Sequence, residues 1–422
     1  MKKLNIIYLH LANKKGAVAV YTALVLMVLL GFGALAVDVG HLYGVRNELN
    51  NAADAGALAG ASVLLDNQGN ATLTTISPAK AEAKRVGESN PTGNTMVSID
   101  QNADVQVGHW SFKTRTFTKN EVPDPSLPNN WWVNKSSEEL DQDINFINAV
   151  KVTPKRDGTP SFLARVLRLE SFVVNSKAVA YIGFAGELFP GELDMPIAIC
   201  KDAIVNDDAV TCNVGRMLNS GGNASTSMTA MWTNFTQPCE TASGDTMQKL
   251  TDKCEGNNES TVLFGQGIGT QNGVQDKILR NVETCWENNA DSDDDNIPDK
   301  FWPLTLPVVE CGSSNTCAAL VGAVNVNVVW IQRDNDPHYN DVPVKMEGWE
   351  NKASDGFTRW KSFVDYFHLQ NLNGPPVTEA DYAALYQKKN IYFMPSCELV
   401  EPIGGTGGQN FGIRAEIPVL VE

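Results

Sequence analysis

The longest uninterrupted apolar stretch of the chain runs from Gly16 to Val37, where 22 consecutive residues carry no charge. As an α-helix, such a stretch is roughly 33 Å long, enough to cross the ~30 Å hydrocarbon core of a bilayer. Four lysines precede it, and the first acidic residue, Asp38, stands at its exit. Because lysines stay on the cytoplasmic side, the pattern predicts a cytoplasmic stub (1–15), a transmembrane helix (16–37) and an external region (38–422).

A cleaved signal peptide is the alternative interpretation of this stretch, since an Ala-x-Ala-like site is present at Ala34 to Ala36. The apolar run is longer than the roughly 7–15 residues of a signal peptide, and the helical pattern continues past Asp38. We therefore expect a retained single-pass anchor that has the lipid bilayer as its partner. Asp38 is expected near the lipid headgroups, with a buried pairing role as the alternative.

The hydrophobic pattern of a helix continues beyond the apolar run without a proline. Small and apolar residues recur there at alternating steps of three and four, at Leu42, Val45, Leu49, Ala52, Gly56, Ala59 and Val63. This stripe predicts one long helix with an extramembrane extension at 38–66. Two Gly-xxx-Gly pairs, Gly40/Gly44 and Gly56/Gly60, permit close packing. We expect packing against the chain's own domain, with homo-oligomerisation through this helix as the alternative.

Shorter elements are predicted downstream, in two groups. Residues 67–185 are expected to form a small α+β unit, with helices at 79–86 and 161–169 and strands at 105–112, 148–153 and 171–182. Residues 186–422 are expected to form a mixed domain with long loops, one of them a flexible glycine-rich loop at 404–408. Its predicted helices lie at 274–286, 357–369 and 379–387, and its predicted strands at 304–309, 318–331, 390–394 and 412–420.

The N-terminal segment also carries a pattern that is specific for its length. A basic pair precedes a Gly-Ala start, the apolar span ends in Ala-Val-Asp, and a Leu-Tyr step leads into an alanine-rich segment. This segment resembles the N-terminal part of TadG-like proteins of the Flp pilus, or tight-adherence, system. The matching residues are Lys14, Lys15, Gly16, Ala17, Asp38, Leu42, Tyr43, Arg46, Leu49, Ala52, Ala53, Asp54, Ala55, Leu58, Ala59 and Gly60. A second stretch at 148–183 is similar to the next segment of these family members, so the resemblance reaches about residue 185.

The resemblance implies a protein of the bacterial inner membrane with a pilin-like α+β unit outside it. It also implies other pilus-assembly or pilin-like membrane proteins as partners. Two family features are missing from the sequence. Pilin-type members are cut after a glycine and carry Glu five residues later, whereas Tyr21 stands five residues after Gly16. No Asp-x-Ser-x-Ser triplet of a von Willebrand A metal site occurs, so neither prepilin processing nor adhesion through that domain is expected.

The charge and the cysteines of the chain bear on its ligands and its compartment. The chain has 33 basic and 49 acidic residues, a net charge of −16, which argues against nucleic-acid binding because phosphate contacts need clustered cations. An even number of cysteines in the external part predicts disulfides in an oxidising compartment. They are Cys200, Cys212, Cys239, Cys254, Cys285, Cys311, Cys317 and Cys397. Proximity in sequence suggests pairing Cys311 with Cys317 and Cys239 with Cys254, although eight cysteines allow 105 pairings in all.

One acidic loop, DSDDDNIPD at 291–299, has the spacing of a calcium site. Alternate carboxylates at relative positions 1, 3, 5 and 9 are Asp291, Asp293, Asp295 and Asp299. Their oxygens can converge on one point, as Ca²⁺ requires. The loop is similar to the calcium loops of thrombospondin type 3 repeats, with Asn296 in place of glycine; it lacks the last glutamate of an EF-hand. We expect a structural Ca²⁺ here, with a solvated acidic loop as the alternative.

The sequence therefore predicts an α+β protein. A long N-terminal transmembrane helix continues into a pilin-like α+β unit, which is followed by a mixed disulfide-containing domain at 186–422. No catalytic motif such as His-Glu-x-x-His, Gly-x-Ser-x-Gly or a P-loop occurs. The favoured function is a non-enzymatic, membrane-anchored component of Flp pilus assembly that presents an extracytoplasmic domain. The alternatives are a surface-displayed, calcium-stabilised adhesin or minor pilin, and a membrane-tethered hydrolase.

Overall fold

The computed structural model of the chain describes residues 15–90, 95, 97–219, 231–239, 244–252, 254–272, 276–293, 295, 297–311, 317–334, 337–371, 373–396 and 398–422. Residues 1–14 of the expected cytoplasmic stub, Asn296 and Cys397 lie outside them. The helices are α1 (Lys15–Ser62), α2 (Leu73–Glu88), α3 (Ser137–Gln142), α4 (Gly244–Thr251), α5 (Asp276–Asn289), α6 (Gly356–Tyr366) and α7 (Glu379–Leu385). Short 3₁₀ turns lie at Ala164–Leu167 and Lys201–Ala203.

The strands complete an α+β fold, so the predicted class is confirmed. In chain order they are β1 (Val105–Ser111), β2 (Thr116–Lys119), β3 (Ala149–Val152), β4 (Lys155–Pro160), β5 (Ser171–Asn175), β6 (Ala178–Tyr181), β7 (Phe184–Leu188), β8 (Ile197–Cys200), β9 (Val205–Asn206), β10 (Ala209–Val210), β11 (Arg216–Asn219), β12 (Met231–Thr233), β13 (Val262–Leu263), β14 (Gly267–Asn272), β15 (Trp302–Val309), β16 (Cys317–Gln332), β17 (Lys345–Met346), β18 (Trp349–Glu350), β19 (Asn390–Pro395), β20 (Gly405–Gly408) and β21 (Val419–Leu420).

Helix α1 is continuous over 48 residues, which confirms the prediction of one long helix. Its large hydrophobic side chains from Val18 to Val37 are 52–71% exposed, so no described part of the chain covers them. Among the described residues, α1 is the one helix long and apolar enough to cross a membrane. From Val45 onward its inner face is buried, with Leu49 fully enclosed. One helix thus has an uncovered apolar half and a half that belongs to a folded core.

The buried half of α1 packs closely on α2 because both helices place glycine or alanine at the contact. A Cβ atom added to Gly56 would lie 2.8 Å from the carbonyl oxygen of Ala83. One added to Gly60 would lie 2.9 Å from the Ala83 Cβ. The Gly56/Gly60 pair therefore packs within the chain's own domain, as predicted. The same prediction is wrong for Gly40 and Gly44, where an added Cβ atom would meet nothing within 4 Å.

Helices α1 and α2 lie on one face of a five-stranded antiparallel sheet with the order β2-β1-β3-β6-β21. Alternate residues of the central strands, such as Val105, Val107, Val150 and Val152, enter the core beneath the helices. The predicted strands at 105–112 and 148–153 are confirmed. The strand predicted at 412–420 is wrong except for its last two residues, which form β21 and add to this sheet beside β6.

A β-hairpin made of β4 and β5 projects from the same unit. The helix predicted at 161–169 is wrong: only the 3₁₀ turn Ala164–Leu167 forms there, and Arg168 ends it with a left-handed φ of 69°. The strand predicted at 171–182 is broken into β5 and β6. Ser176 lies at the break, where its hydroxyl bonds to the side chain of Asn50 on α1. Contact with the long helix therefore interrupts a segment whose β propensity is otherwise continuous.

The rest of the chain is built around the 16-residue strand β16. Along one edge β16 pairs with β15, and along the other it pairs first with β14 and then with β19. Because β15 also pairs with β8, the strands β16, β14, β12, β8 and β15 close into a ring. The predicted strands at 304–309, 318–331 and 390–394 are confirmed as β15, β16 and β19. Alternate or continuous apolar residues on these strands supply the largest core of the molecule.

Helices cover this second sheet with an aromatic layer. Trp330 of β16 stacks on Tyr392 of β19 with ring centroids 5.2 Å apart, and Trp360 and Phe363 of α6 pack against them. The three helices predicted in this region are confirmed as α5, α6 and α7. The predicted N-cap of α7 is also correct: the Thr378 hydroxyl accepts from the Asp381 amide, and the Asp381 carboxylate accepts from the Thr378 amide.

Disulfides join distant parts of this second region. They connect Cys200 with Cys311, Cys239 with Cys317, and Cys254 with Cys285, and Cys212 is also disulfide-bonded. The prediction of disulfides is confirmed, but both pairings suggested from proximity in sequence are wrong. Sheet register decides the pairing instead, since Cys200 ends β8 directly opposite Val309 of the parallel strand β15, two residues before Cys311.

The contact between α1 and α2 yields a matched pair of substitutions. Gly56→Ala should destabilise the full chain by about 1–3 kcal/mol, because the new methyl group meets a backbone carbonyl that cannot turn away. Gly44→Ala, on the same helix, should be neutral or stabilising by up to about 1 kcal/mol, because alanine favours a helix and the space is open. Thermal unfolding followed by tryptophan fluorescence in detergent compares them. Equal shifts for the two variants would contradict the packing described.

Candidate functional site

The first candidate site is the point where the uncovered half of α1 meets the folded unit. Asp38 lies there, one residue after the apolar run, and its side chain is buried with 4% exposure. Its Oδ1 accepts hydrogen bonds from the amides of Phe162 (2.7 Å) and Leu163 (3.2 Å), and its Oδ2 accepts from Ala164 (2.6 Å). Three successive amides at the start of a 3₁₀ turn thus converge on one carboxylate, an arrangement that suits a negative charge.

Asp38 thus has the buried pairing role, and its position at the level of the lipid headgroups stays a prediction. The carboxylate fastens the connection of the β4–β5 hairpin to α1. The ring of Phe162 adds an edge-to-face contact with His41, at 4.9 Å between centroids. The sequence signal for this contact was the isolated acid at the end of an apolar run. Its partners are backbone amides more than 120 residues away, which no residue pattern identifies.

The acidic loop at 291–299 is the second candidate site. Carboxylate oxygens of Asp291, Asp293 and Asp295 lie within 4.8 Å of one another, so three of the four predicted ligands are brought together. The loop follows α5 and leads into β15, which holds both of its ends on rigid elements. Oxygens at this separation are close enough to bind one hard cation after small side-chain adjustments.

Asp299, the fourth predicted ligand, has different partners. Its Oδ1 accepts from the Ser292 amide at 2.9 Å, and its Oδ2 accepts from the Ser292 hydroxyl at 2.8 Å. The ammonium of Lys345 lies 3.3 Å from Asp299 and 3.6 Å from Asp295. The hydroxyl of Ser292, then its amide, and then Lys345 hold the pKa of Asp299 below its usual value. Asp299 thus closes the loop through Ser292. Lys345, on the hairpin of β17 and β18, supplies a counter-charge that no pattern in the sequence indicates.

An apolar cavity of about 510 Å³ lies against the outer face of the first sheet. Phe112, Phe146, Tyr181 and β21 line it. The one carboxylate in its wall, Asp141, accepts from the Ser111 hydroxyl and the Phe112 amide. Burial raises the pKa of Tyr181 to about 12, so deprotonation of this hydroxyl is even less favourable than for an ordinary tyrosine. Within the described residues, the wall of this cavity offers no nucleophile with a neighbouring base.

Comparisons with known proteins address the N-terminal part of the chain. Residues 16–63 match the model of the Flp pilus-assembly TadE/G-like family, and residues 59–180 match that of the Tad-like Flp pilus-assembly family. The two matches meet within α1 and together cover the uncovered helix, the Asp38 contact and most of the first sheet. No curated protein and no solved structure shows a significant match to the chain.

These features define a protein in which one N-terminal helix, long and apolar enough to span a membrane, is fused to an α+β domain. Over residues 16–180 the chain is similar to TadE/G-like and Tad-like Flp pilus-assembly proteins. The resemblance seen in the sequence is therefore confirmed. The two matches connect the chain with assembly of the Flp pilus.

The contact at Asp38 gives a specific expectation for exchange of backbone amides. Asp38→Ala leaves three converging amides without their acceptor, which should cost about 1–3 kcal/mol locally. Hydrogen–deuterium exchange of the full chain should then become at least about tenfold faster at residues 162–164. Asp54→Ala is the control, because Asp54 lies on the same helix and its carboxylate accepts no hydrogen bond among the described residues. Unchanged exchange at 162–164 would show that the carboxylate does not hold this turn.

Proposed function

We propose that the protein is a non-enzymatic, membrane-anchored component of Flp pilus assembly. In this proposal the N-terminus is cytoplasmic, residues 16–37 cross the inner membrane, and residues 38–422 stand in the extracytoplasmic space. The single observation that carries the proposal is the division of α1. Its first half exposes apolar side chains on every face, while its second half is the centre of a folded core. Exposing so large an apolar surface is unfavourable in water, whereas the hydrocarbon core of a bilayer accommodates it.

The charge and cysteine distribution supports this orientation. Lysines occur before the apolar run and the first acid comes after it, in the sense of the positive-inside rule. Disulfides are confined to the part assigned to the extracytoplasmic space, where oxidation is favoured. The non-enzymatic role is supported by the family matches and by the cavity at Tyr181, where the carboxylate of Asp141 already accepts hydrogen bonds from the protein.

The proposed partners are other pilus-assembly or pilin-like membrane proteins. Gly40 and Gly44 supply one site for such a partner, since added Cβ atoms there would meet nothing within 4 Å, while the Gly56/Gly60 pair is already occupied by α2. The same surface serves a second copy of the chain if the protein is a homo-oligomer. Small residues on an uncovered helix face permit close approach of another helix.

A surface-displayed adhesin or minor pilin is the second candidate function, and the convergence of Asp291, Asp293 and Asp295 is the observation that favours it. We propose that these three carboxylates bind a structural Ca²⁺, with Asp299 and Lys345 bracing the loop from outside. A cation would relieve the mutual repulsion of the acids and fix the connection between α5 and β15. Weak, sub-millimolar to millimolar affinity is typical of extracellular calcium modules.

Topology and assembly are tested together in cells. Alkaline extraction should leave the full chain in the membrane, and protease added to spheroplasts should digest residues 38–422 while an N-terminal tag stays protected. The double variant Leu26→Arg and Leu30→Arg should be lost from the membrane, because each charge at mid-span costs about 2.5–3.5 kcal/mol.

In-cell crosslinking with the wild-type chain should capture pilus-assembly proteins. Recovery of the intact wild-type chain in the cytosol would contradict the anchor; capture of none of these proteins would contradict the assembly role.

Calcium binding is tested on the full chain by its melting temperature. Adding Ca²⁺ at about ten times its dissociation constant should stabilise the protein by about 1.4 kcal/mol, or a few degrees, relative to a chelator. Replacing Asp291, Asp293 and Asp295 by Asn should abolish this rise. The matched control changes the exposed acids Asp207 and Asp208 to Asn, which left-handed backbone there accommodates. An equal rise with Mg²⁺, or a rise that persists in the triple variant, would refute the site.

A further inference from the structure

The connection between β4 and β5, residues 161–170, is here called the hairpin tip. It lies beside α1 at the place where the apolar run ends. The amides of Phe162, Leu163 and Ala164 bond to Asp38, which directly follows the last residue of that run. Phe162 also contacts His41, less than one helical turn further along α1. The position of the hairpin tip along α1 is therefore fixed at the exit from the proposed span.

The hairpin tip exposes large apolar side chains at this level. Phe162 is 48% exposed, Leu163 41% and Leu169 50%, and all three lie within eight residues. A single exposed apolar residue needs no explanation, but three on one short connection form a continuation of the apolar surface of α1. Tyr43, 63% exposed on α1, follows Asp38 by about 7.5 Å along the helix, and a tyrosine ring suits a membrane interface.

The charge of the hairpin tip is opposite to that of the whole chain. Arg165 and Arg168 are exposed, and neither has an acidic partner among the described residues. The hairpin tip has these two arginines and one acid, Glu170, and residues 151–177 have six basic and two acidic side chains, in a chain with a net charge of −16. Exposed apolar residues beside cations are the combination that binds the surface of an anionic bilayer.

We propose that the hairpin tip is a second membrane contact. Phe162, Leu163 and Leu169 enter the interfacial layer of the leaflet from which α1 emerges, and Arg165 and Arg168 bind lipid phosphates. This inference rests on the proposed function, since it requires that α1 spans a bilayer. The geometry is sufficient, because the headgroup layer on each side is roughly 5–7 Å thick and the hairpin tip is held at the first residue beyond the hydrocarbon span.

A second contact changes what the anchor can do. A single helix leaves its domain free to rotate about the helix axis and to tilt. Two contacts, joined by the Asp38 hydrogen bonds, fix both the tilt and the face of the domain that points along the membrane. The partners of the extracytoplasmic domain would then meet it in one orientation.

The contact is tested with a photocrosslinking amino acid in the full-length chain, reconstituted in nanodiscs of phosphatidylcholine with phosphatidylglycerol. The label is placed at Leu169 in the hairpin tip. Leu26 in the apolar run is the positive control, and Val377, 85% exposed in the second region, is the negative control. Mass spectrometry of the adducts should find phospholipid at Leu26 and at Leu169, each at least about tenfold above Val377.

The outcomes separate the inference from the proposed anchor. Lipid at Leu26 but not at Leu169, or protein adducts at Leu169, would overturn the second contact and leave the anchor intact. No lipid at either position would overturn the anchor and, with it, the contact. The headgroup part has its own variant: Arg165→Gln with Arg168→Gln should reduce capture at Leu169 severalfold in anionic nanodiscs and leave capture at Leu26 unchanged. Equal capture by this variant would refute the role of the arginines.

Discussion

One helix in this protein has to satisfy two different environments, and most of the structure depends on this constraint. The first half of α1 is apolar on all faces, whereas the second half has to pack on a sheet and on α2. The change occurs within a few residues, between Asp38, which bonds to backbone amides, and Val45, which is already in the core. A break in the helix would separate the two halves mechanically. Instead, α1 is one continuous helix, and its two halves differ only in the residues on their surfaces.

Small residues make this continuity compatible with a compact unit. Leucine-sized side chains on α1 would hold α2 and the sheet at ordinary helix-packing distances of about 8–10 Å. Glycine and alanine along the contact let backbone approach backbone, so a short helix and a small sheet can enclose α1 on its inner face. The sequence already showed this stripe, because a 3.6-residue period with small side chains is readable without any long-range information. The helix and the first part of its buried face were therefore predictable, whereas Val63, placed on the predicted stripe, is 39% exposed.

Long-range pairings were not predictable in the same way. Cys311 was expected to bond to Cys317 because they are neighbours in sequence, yet strand register places it against Cys200, 111 residues away. The glycines at 404–408 were expected to form a loop, but β20 pairs there with β7, where a Cβ at Gly408 would lie 1.7 Å from the Ala185 carbonyl oxygen. Close approach and flexibility both select glycine, so composition cannot distinguish them. In the acidic loop, alternate spacing predicted four ligands, of which Asp291, Asp293 and Asp295 converge while Asp299 bonds to Ser292. Lys345 comes from a separate hairpin and could not be anticipated.

The two regions of the protein are also joined through β21, and this connection affects how force would pass between them. The chain leaves the first sheet after β6 and returns to it as β21, so that the second region is held at both of its ends. Arg414, on the returning segment, is buried and lies 4.5 Å from the ring centroid of Phe146, while it donates to the carbonyl oxygens of Ile182 and Gly183. Burial lowers its pKa to about 10, so that it still carries its charge at neutral pH. A force on the second region would load both of its connections to the first sheet. It could load the connection after β6 alone only after β21 had separated from β6 and Arg414 had become exposed. A load applied there is therefore shared by two strands of the sheet that rests on α1.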